Sequence, residues 1–117
     1  MNTALLLLAL AMCETANKPK PSPAWPDGDP WQISIAVHQN RKGRTPQEDA
    51  KLQVAFLIRE LRKEGYEPTV YQVALSWRSG LNAYLRDRTK PAHRVWAHDL
   101  VNTYEDLRAN PAKTEGL

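Results

Sequence analysis

Glu14 closes an uninterrupted apolar run, Ala4-Leu5-Leu6-Leu7-Leu8-Ala9-Leu10-Ala11-Met12-Cys13. A carboxyl group carried on the end of a buried apolar helix loses hydration, and its pKa rises toward the range useful to a general acid. The alternative is a helix that simply ends there, with Glu14 in water. Cys13 beside it has no histidine near in sequence and sits in apolar surroundings, so it reads as a buried inert thiol. His38, His93 and His98 lack metal-ligand spacing. His93 and His98 fall on different faces of a helix, and no Cys or second His stands at zinc distance, so they read as solvated side chains. No metal and no cofactor are expected. Arg86-Asp87-Arg88 and Lys90, beside Tyr84, form a basic cluster that Arg41, Lys42 and Arg44 could extend. No helix-turn-helix, finger or RNA-binding signature accompanies it, which favours a solvated face or an anionic glycan contact over nucleic acid.

These groups need a scaffold, and the bulk properties limit what it is. The 117 residues, 42% apolar and 25% charged, suit one globular domain with one core. A net charge of +3 favours polyanions such as nucleic acid, cell-wall polymers or acidic lipid, without choosing among them. A single cysteine excludes an intramolecular disulfide. No apolar stretch reaches the ~18 residues that span a bilayer. The opening run also fits a secretion signal, and Leu10-Ala11-Met12-Cys13 is similar to a lipoprotein cleavage box. Against that, Met12 stands where a small residue is wanted and the first positive charge is Lys18.

Along the chain, Asn2 to about Asn17 reads as a helix apolar on every side, which belongs in the middle of a small domain or in a membrane. The proline-rich stretch 18–30 is an extended loop with a turn at Asp27-Gly28. Trp31 to Val37 fits either a strand or a short helix, and Asn40 to Arg44 is a basic turn. Thr45-Pro46-Gln47-Glu48 forms a capping box, followed by a helix with the stripe Leu52, Ala55, Phe56, Ile58 and Leu61 and a stop at Gly65. A shorter helix begins after Thr69, carries Val70, Val73, Ala74 and Trp77, and ends at Ser79-Gly80. The last starts near Pro91, presents Val95, Trp96, Leu100, Tyr104 and Leu107, and stops at Asn110-Pro111, leaving 112–117 as a frayed tail. The expected fold is mainly α: residues 1–117 as a single small helical domain around a hydrophobic central first helix.

The order of segments adds a family resemblance. Glu14-Thr15-Ala16-Asn17, a loop with Asp27-Gly28, and Pro30-Trp31-Gln32-Ile33 resemble the front of the lysozyme-like lytic transglycosylases of the SLT type. In that family a hydrophobic helix ends in a Glu-Ser-type pair, and a glycine-rich turn leads to an aromatic-Gln-Ile element. Ala74-Leu75-Ser76-Trp77-Arg78-Ser79-Gly80 resembles the family's later segment, and Arg94 to Leu107 its closing helix. Thr15 stands in place of Ser, Asp29 in place of glycine, and Arg78 in place of Asn.

The resemblance implies a lysozyme-like domain that cleaves peptidoglycan, with Glu14 as the acid/base on the MurNAc-GlcNAc bond. Hydrolysis needs a second carboxylate about 5–5.5 Å or about 6.5–9.5 Å away, and Asp27 and Asp29 are the candidates. A transglycosylase needs none, because the sugar's own 6-hydroxyl closes a 1,6-anhydro ring. Gln32 becomes a hydrogen-bonding amide at the substrate, or else a capping or surface amide. Trp31 and Trp77 become stacking faces for sugar rings, or else core packing. Ser79 and Tyr84 join the substrate-binding set. The implied setting is a monomer acting on glycan strands in the bacterial envelope or periplasm, or from a phage. Two other classes fit the same residues: a secreted or lipid-anchored non-enzymatic helical protein with 1–13 as signal, and a small basic nucleic-acid-binding module.

Overall fold

A computed structural model describes residues 1–15, 22, 25–34 and 44–114. The described chain is mainly helical: α1 (Thr3–Thr15), α2 (Pro46–Lys63), α3 (Val70–Ser79), α4 (Leu81–Leu85) and α5 (Pro91–Ala109), followed by one 3₁₀ turn over Pro111–Thr114. That turn occupies part of the stretch expected to fray. His38, Arg41, Lys42, Asn17 and residues 18–21, 23 and 24 of the proline-rich loop lie outside the described residues.

α1 forms because nothing in it opposes a helix and both of its ends are tied. Asn2 accepts the Leu5 N–H at 3.1 Å through its side chain and donates its own N–H to the Tyr104 hydroxyl at 2.8 Å. At the other end Thr15 turns its hydroxyl back onto the Ala11 carbonyl, 2.8 Å away, which satisfies it inside the helix. Leu6, Ala9 and Leu10 are completely buried. α1 packs against α5 and α2, and α3 packs against α5, α4 and α2. The fully apolar helix is therefore interior, as its sequence requires.

α2 and α3 begin at threonine caps. The Thr45 hydroxyl accepts the Glu48 N–H at 3.2 Å. The reciprocal capping box, however, belongs to α3: Thr69 accepts from the Gln72 N–H at 3.1 Å, and Gln72 Oε1 accepts from the Thr69 N–H at 3.0 Å. α3 then stops at Gly80, whose φ of 93° is a left-handed value that glycine adopts without a Cβ clash.

Two apolar stripes differ from expectation in part: Leu61 on α2 and Leu100, Tyr104 and Leu107 on α5 are buried as expected, and Ile58 packs against the core. On α2 the inward face is Ala50, Val54, Leu57 and Leu61, whereas Leu52, Ala55 and Phe56 are exposed. Both sets recur at helical spacing, and the inward one is the set that meets α1 and α3, which both pack against α2. On α5 the buried row is Ala97, Leu100, Tyr104 and Leu107, while Val95 is 61% exposed. The expected turn does form: the Gly28 N–H donates to the Trp25 carbonyl at 3.1 Å, with Gly28 at φ 113°. The segment 31–34 is neither strand nor helix.

Candidate active site

The end of α1, the segment 32–34, α2 and α3 meet around one groove. Its walls are Glu14, Gln32, Ile33, Ser34, Gln53, Trp77 and Arg78, enclosing about 250 Å³. That is just below the range of about 300–1,000 Å³ usual for small-molecule sites. A larger cavity of about 570 Å³, between the start of α1 and α2, is lined by Thr3, Val54, Ala55, Ile58, Arg59, Arg62 and Lys63. It offers no carboxylate, so of these two cavities only the smaller groove presents a carboxyl group for acid-base chemistry.

Glu14 holds the key position. Its side chain is only 8% exposed, although it lies in the last turn of the helix. Burial pushes its pKa up, and the negative charge of Asp29 adds to that rise. The Arg78 guanidinium and a hydrogen bond from the Trp77 indole oppose the shift without reversing it. Arg78 Nη1 stands 3.5 Å from both Glu14 oxygens, and its guanidinium carbon lies 5.4 Å from the centre of the Trp96 ring.

Asp29 is completely buried and works as a local scaffold. One oxygen accepts the Trp31 N–H at 2.9 Å, and the other accepts the Ile33 N–H in a very short bond. These bonds turn the chain so that Gln32 adopts φ 53°, a left-handed value uncommon for a residue with a side chain. The Gln32 amide then donates to the Asp29 carbonyl at 2.7 Å. Asp29 is thus engaged by backbone donors, and Asp27 is exposed in the turn.

Of the expected site residues, the structure brings Glu14, Gln32 and Trp77 together and leaves three others outside the groove lining. Trp31 donates its indole N–H to the Leu7 carbonyl at 2.8 Å and packs against the core, which is the packing alternative to a sugar platform. Tyr84 accepts from the Gln72 amide at 2.9 Å and lies 5.9 Å from Tyr66, with its pKa raised by burial. The Ser79 hydroxyl pairs with His93 Nδ1 at 2.9 Å. His93 is thereby half-buried and bonded rather than freely solvated, and its pKa is lowered by desolvation and by the positive charges of Arg78 and Lys90. His98 is exposed, with its ring 4.6 Å from that of Tyr71.

Gln53, Ser34 and Trp96 carry no motif and become visible only in three dimensions. Cys13 is half-buried, its thiol 3.7 Å from the Thr103 hydroxyl and its pKa raised by burial, so it stays a thiol. Among the described residues no group of three or more His, Cys, Asp or Glu could hold a metal ion. No described helix is long and apolar enough to cross a membrane. No protein family, no curated protein and no solved structure matches the chain.

Proposed function

We propose that the chain cleaves peptidoglycan glycan strands as a lytic transglycosylase or muramidase, with Glu14 as the general acid and then base. The observation that carries this reading is the shielded Glu14 carboxyl in the wall of a groove, its pKa raised, with the Gln32 amide and Trp77 beside it. A protonated Glu14 donates its proton to the glycosidic oxygen between N-acetylmuramic acid and N-acetylglucosamine. The bond from the muramic C1 to that oxygen breaks, and its electron pair stays on the leaving oxygen. The 6-hydroxyl of the same sugar attacks C1, and the Glu14 carboxylate takes the proton released. The products are a free 4-hydroxyl end and a 1,6-anhydro end, with Glu14 returned to its starting form.

Asp29 supports the transglycosylase outcome over hydrolysis. Its oxygens are occupied by backbone N–H groups, so it is poorly placed to activate a water. Complete burial of Leu6, Ala9 and Leu10 supports the reading of α1 as a working element of the domain rather than a leader. The setting that goes with this function is the bacterial envelope or periplasm, or a phage, with the protein acting as a monomer on glycan strands.

The test is digestion of purified peptidoglycan by wild type and Glu14→Gln, with products weighed by mass spectrometry. Anhydro-muropeptides from wild type alone are expected. Reducing ends in their place would assign hydrolysis, and equal activity of the two proteins would remove Glu14 from the mechanism.

A further inference from the structure

Arg78 is the groove residue whose presence general acid catalysis by Glu14 does not require. Its hold on Glu14 is loose. Both contacts are 3.5 Å and use the same nitrogen, whereas a charge-assisted N–H···O⁻ bond is usually about 2.7–2.9 Å. A guanidinium offers five donors in a planar fork, and among the described residues neither Nε nor Nη2 has a protein acceptor. Trp96 supports the group from one side, and the side chain is 43% exposed. Arg78 is therefore a supported, always-charged fork with most of its donors free at the mouth of the groove.

Its present position also works against the chemistry. A general acid must hold its proton, and Arg78 beside Glu14 favours the ionised carboxylate. The other described groups bearing on Glu14 are few. Trp77 of α3 donates a hydrogen bond, Asp29 of the loop contributes negative charge, Cys13 is the neighbour on α1, and α2 brings the neutral Gln53. Once Arg78 withdraws, burial and Asp29 both favour protonation, leaving the Trp77 hydrogen bond as the remaining influence toward the ionised form. A neutral ligand gives Arg78 no reason to leave, whereas a carboxylate able to take two of its donors does.

We propose that Arg78 is the receptor for a carboxylate carried by the substrate, and that its transfer from Glu14 to that carboxylate frees Glu14 to act as the acid. The inference rests on the reading of Glu14 as the acid and names the substrate class of that site: glycans bearing a carboxylate within one side chain's reach of the scissile bond. In peptidoglycan that group is either the lactyl carboxylate of a peptide-free strand or a carboxylate of the stem peptide.

The experiment compares wild type, Arg78→Gln and Arg78→Lys on N-acetylglucosamine oligomers, peptide-free glycan strands and intact peptidoglycan. Wild type is expected to prefer a carboxylate-bearing strand to the neutral oligomer by about tenfold or more, and Arg78→Gln to bring that ratio within about threefold. Arg78→Lys falls between, because an ammonium keeps the charge without the fork. Preference for peptide-free strands assigns the lactyl group, and preference for intact material assigns the stem. A ratio unchanged in Arg78→Gln overturns the proposal, as does a parallel loss on all three substrates, which a purely structural role would give.

A second readout needs no turnover: the carboxyl carbon of Glu14 is titrated by NMR with N-acetylmuramic acid, muramyl dipeptide or N-acetylglucosamine. At least one of the two acids should raise the Glu14 midpoint, and the neutral sugar should not. If neither acid moves it, the role of Arg78 is overturned. If an acid moves it and no glycan is cleaved, the enzymatic reading fails while the Arg78 site stands.

Discussion

The Trp31 indole donates to the carbonyl of Leu7 at 2.8 Å, two helical turns before Glu14 on the same helix. That bond fixes the loop bearing Gln32 and Ile33 to the element that presents the carboxylate. The two sides of the groove share an anchor packed against the core, so the site does not depend on loop residues alone to hold its shape.

Trp31→Phe keeps most of the packing and removes the donor. The cost expected for one such hydrogen bond is about 1 kcal/mol, or roughly 4 °C in Tm for a domain of this size. Because the loop carrying Gln32 loses its tether, glycan cleavage should fall further than stability does. Thermal melts and rates on the same preparation check this, and full activity with lowered Tm would show the tether to be irrelevant to the groove.

Glu14→Gln should stabilise the protein at neutral pH. The folded-state pKa of Glu14 lies above its ordinary value of 4.5. Its contribution to stability is therefore complete below that value and lost as pH rises through the folded pKa. Above that window the ionised carboxylate is held at a cost that a neutral amide of the same shape avoids. The variant should melt higher than wild type at pH 7 to 8, with the gap closing toward pH 4. A variant less stable at pH 7 would show that the Arg78 pair outweighs burial. The same shift sets the basic limb of the pH-rate profile, since activity falls as Glu14 loses its proton.

Much of the scaffold was legible because its signals are local. The Thr45 cap, the helix start after Thr69, the stop at Gly80, Pro91 at the first helical position of α5 and the apolar run of α1 all act within a few residues, whereas the reciprocal box of Thr69 with Gln72 was not expected. Which face of a helix turns inward is not local. On α2, Leu52-Ala55-Phe56 and Ala50-Val54-Leu57-Leu61 both recur at helical spacing, and the packing of α1 and α3 against α2 decides between them. The groove was half legible for the same reason. Glu14 follows from its segment and Gln32 from the family resemblance, whereas Gln53 and the stacking of Arg78 on Trp96 need helices brought together from distant parts of the chain.

Ser76→Ala should be neutral or stabilising. Ser76 is 1% exposed, and its hydroxyl has no hydrogen-bond partner among the described residues. A buried hydroxyl left unpaired costs on the order of 1–3 kcal/mol, part of which its removal returns. Urea denaturation of the two proteins measures the difference, and a loss above about 1 kcal/mol would reveal a partner for the hydroxyl.

Leu10→Ala separates the two readings of the apolar run through the folded protein itself. Leu10 is completely buried in the core one turn before Glu14. Truncation there removes buried methyl groups and leaves a cavity, which costs about 2–5 kcal/mol. The matched control is Leu52→Ala on α2, where the leucine is 53% exposed and the change should stay within about 0.5 kcal/mol. If α1 is the centre of the domain, the two leucines must differ by this margin in denaturant midpoints at equal m-value. Equal, small effects at both positions would mean that α1 does not support the fold, and Glu14 would then lose the burial on which its proposed chemistry depends.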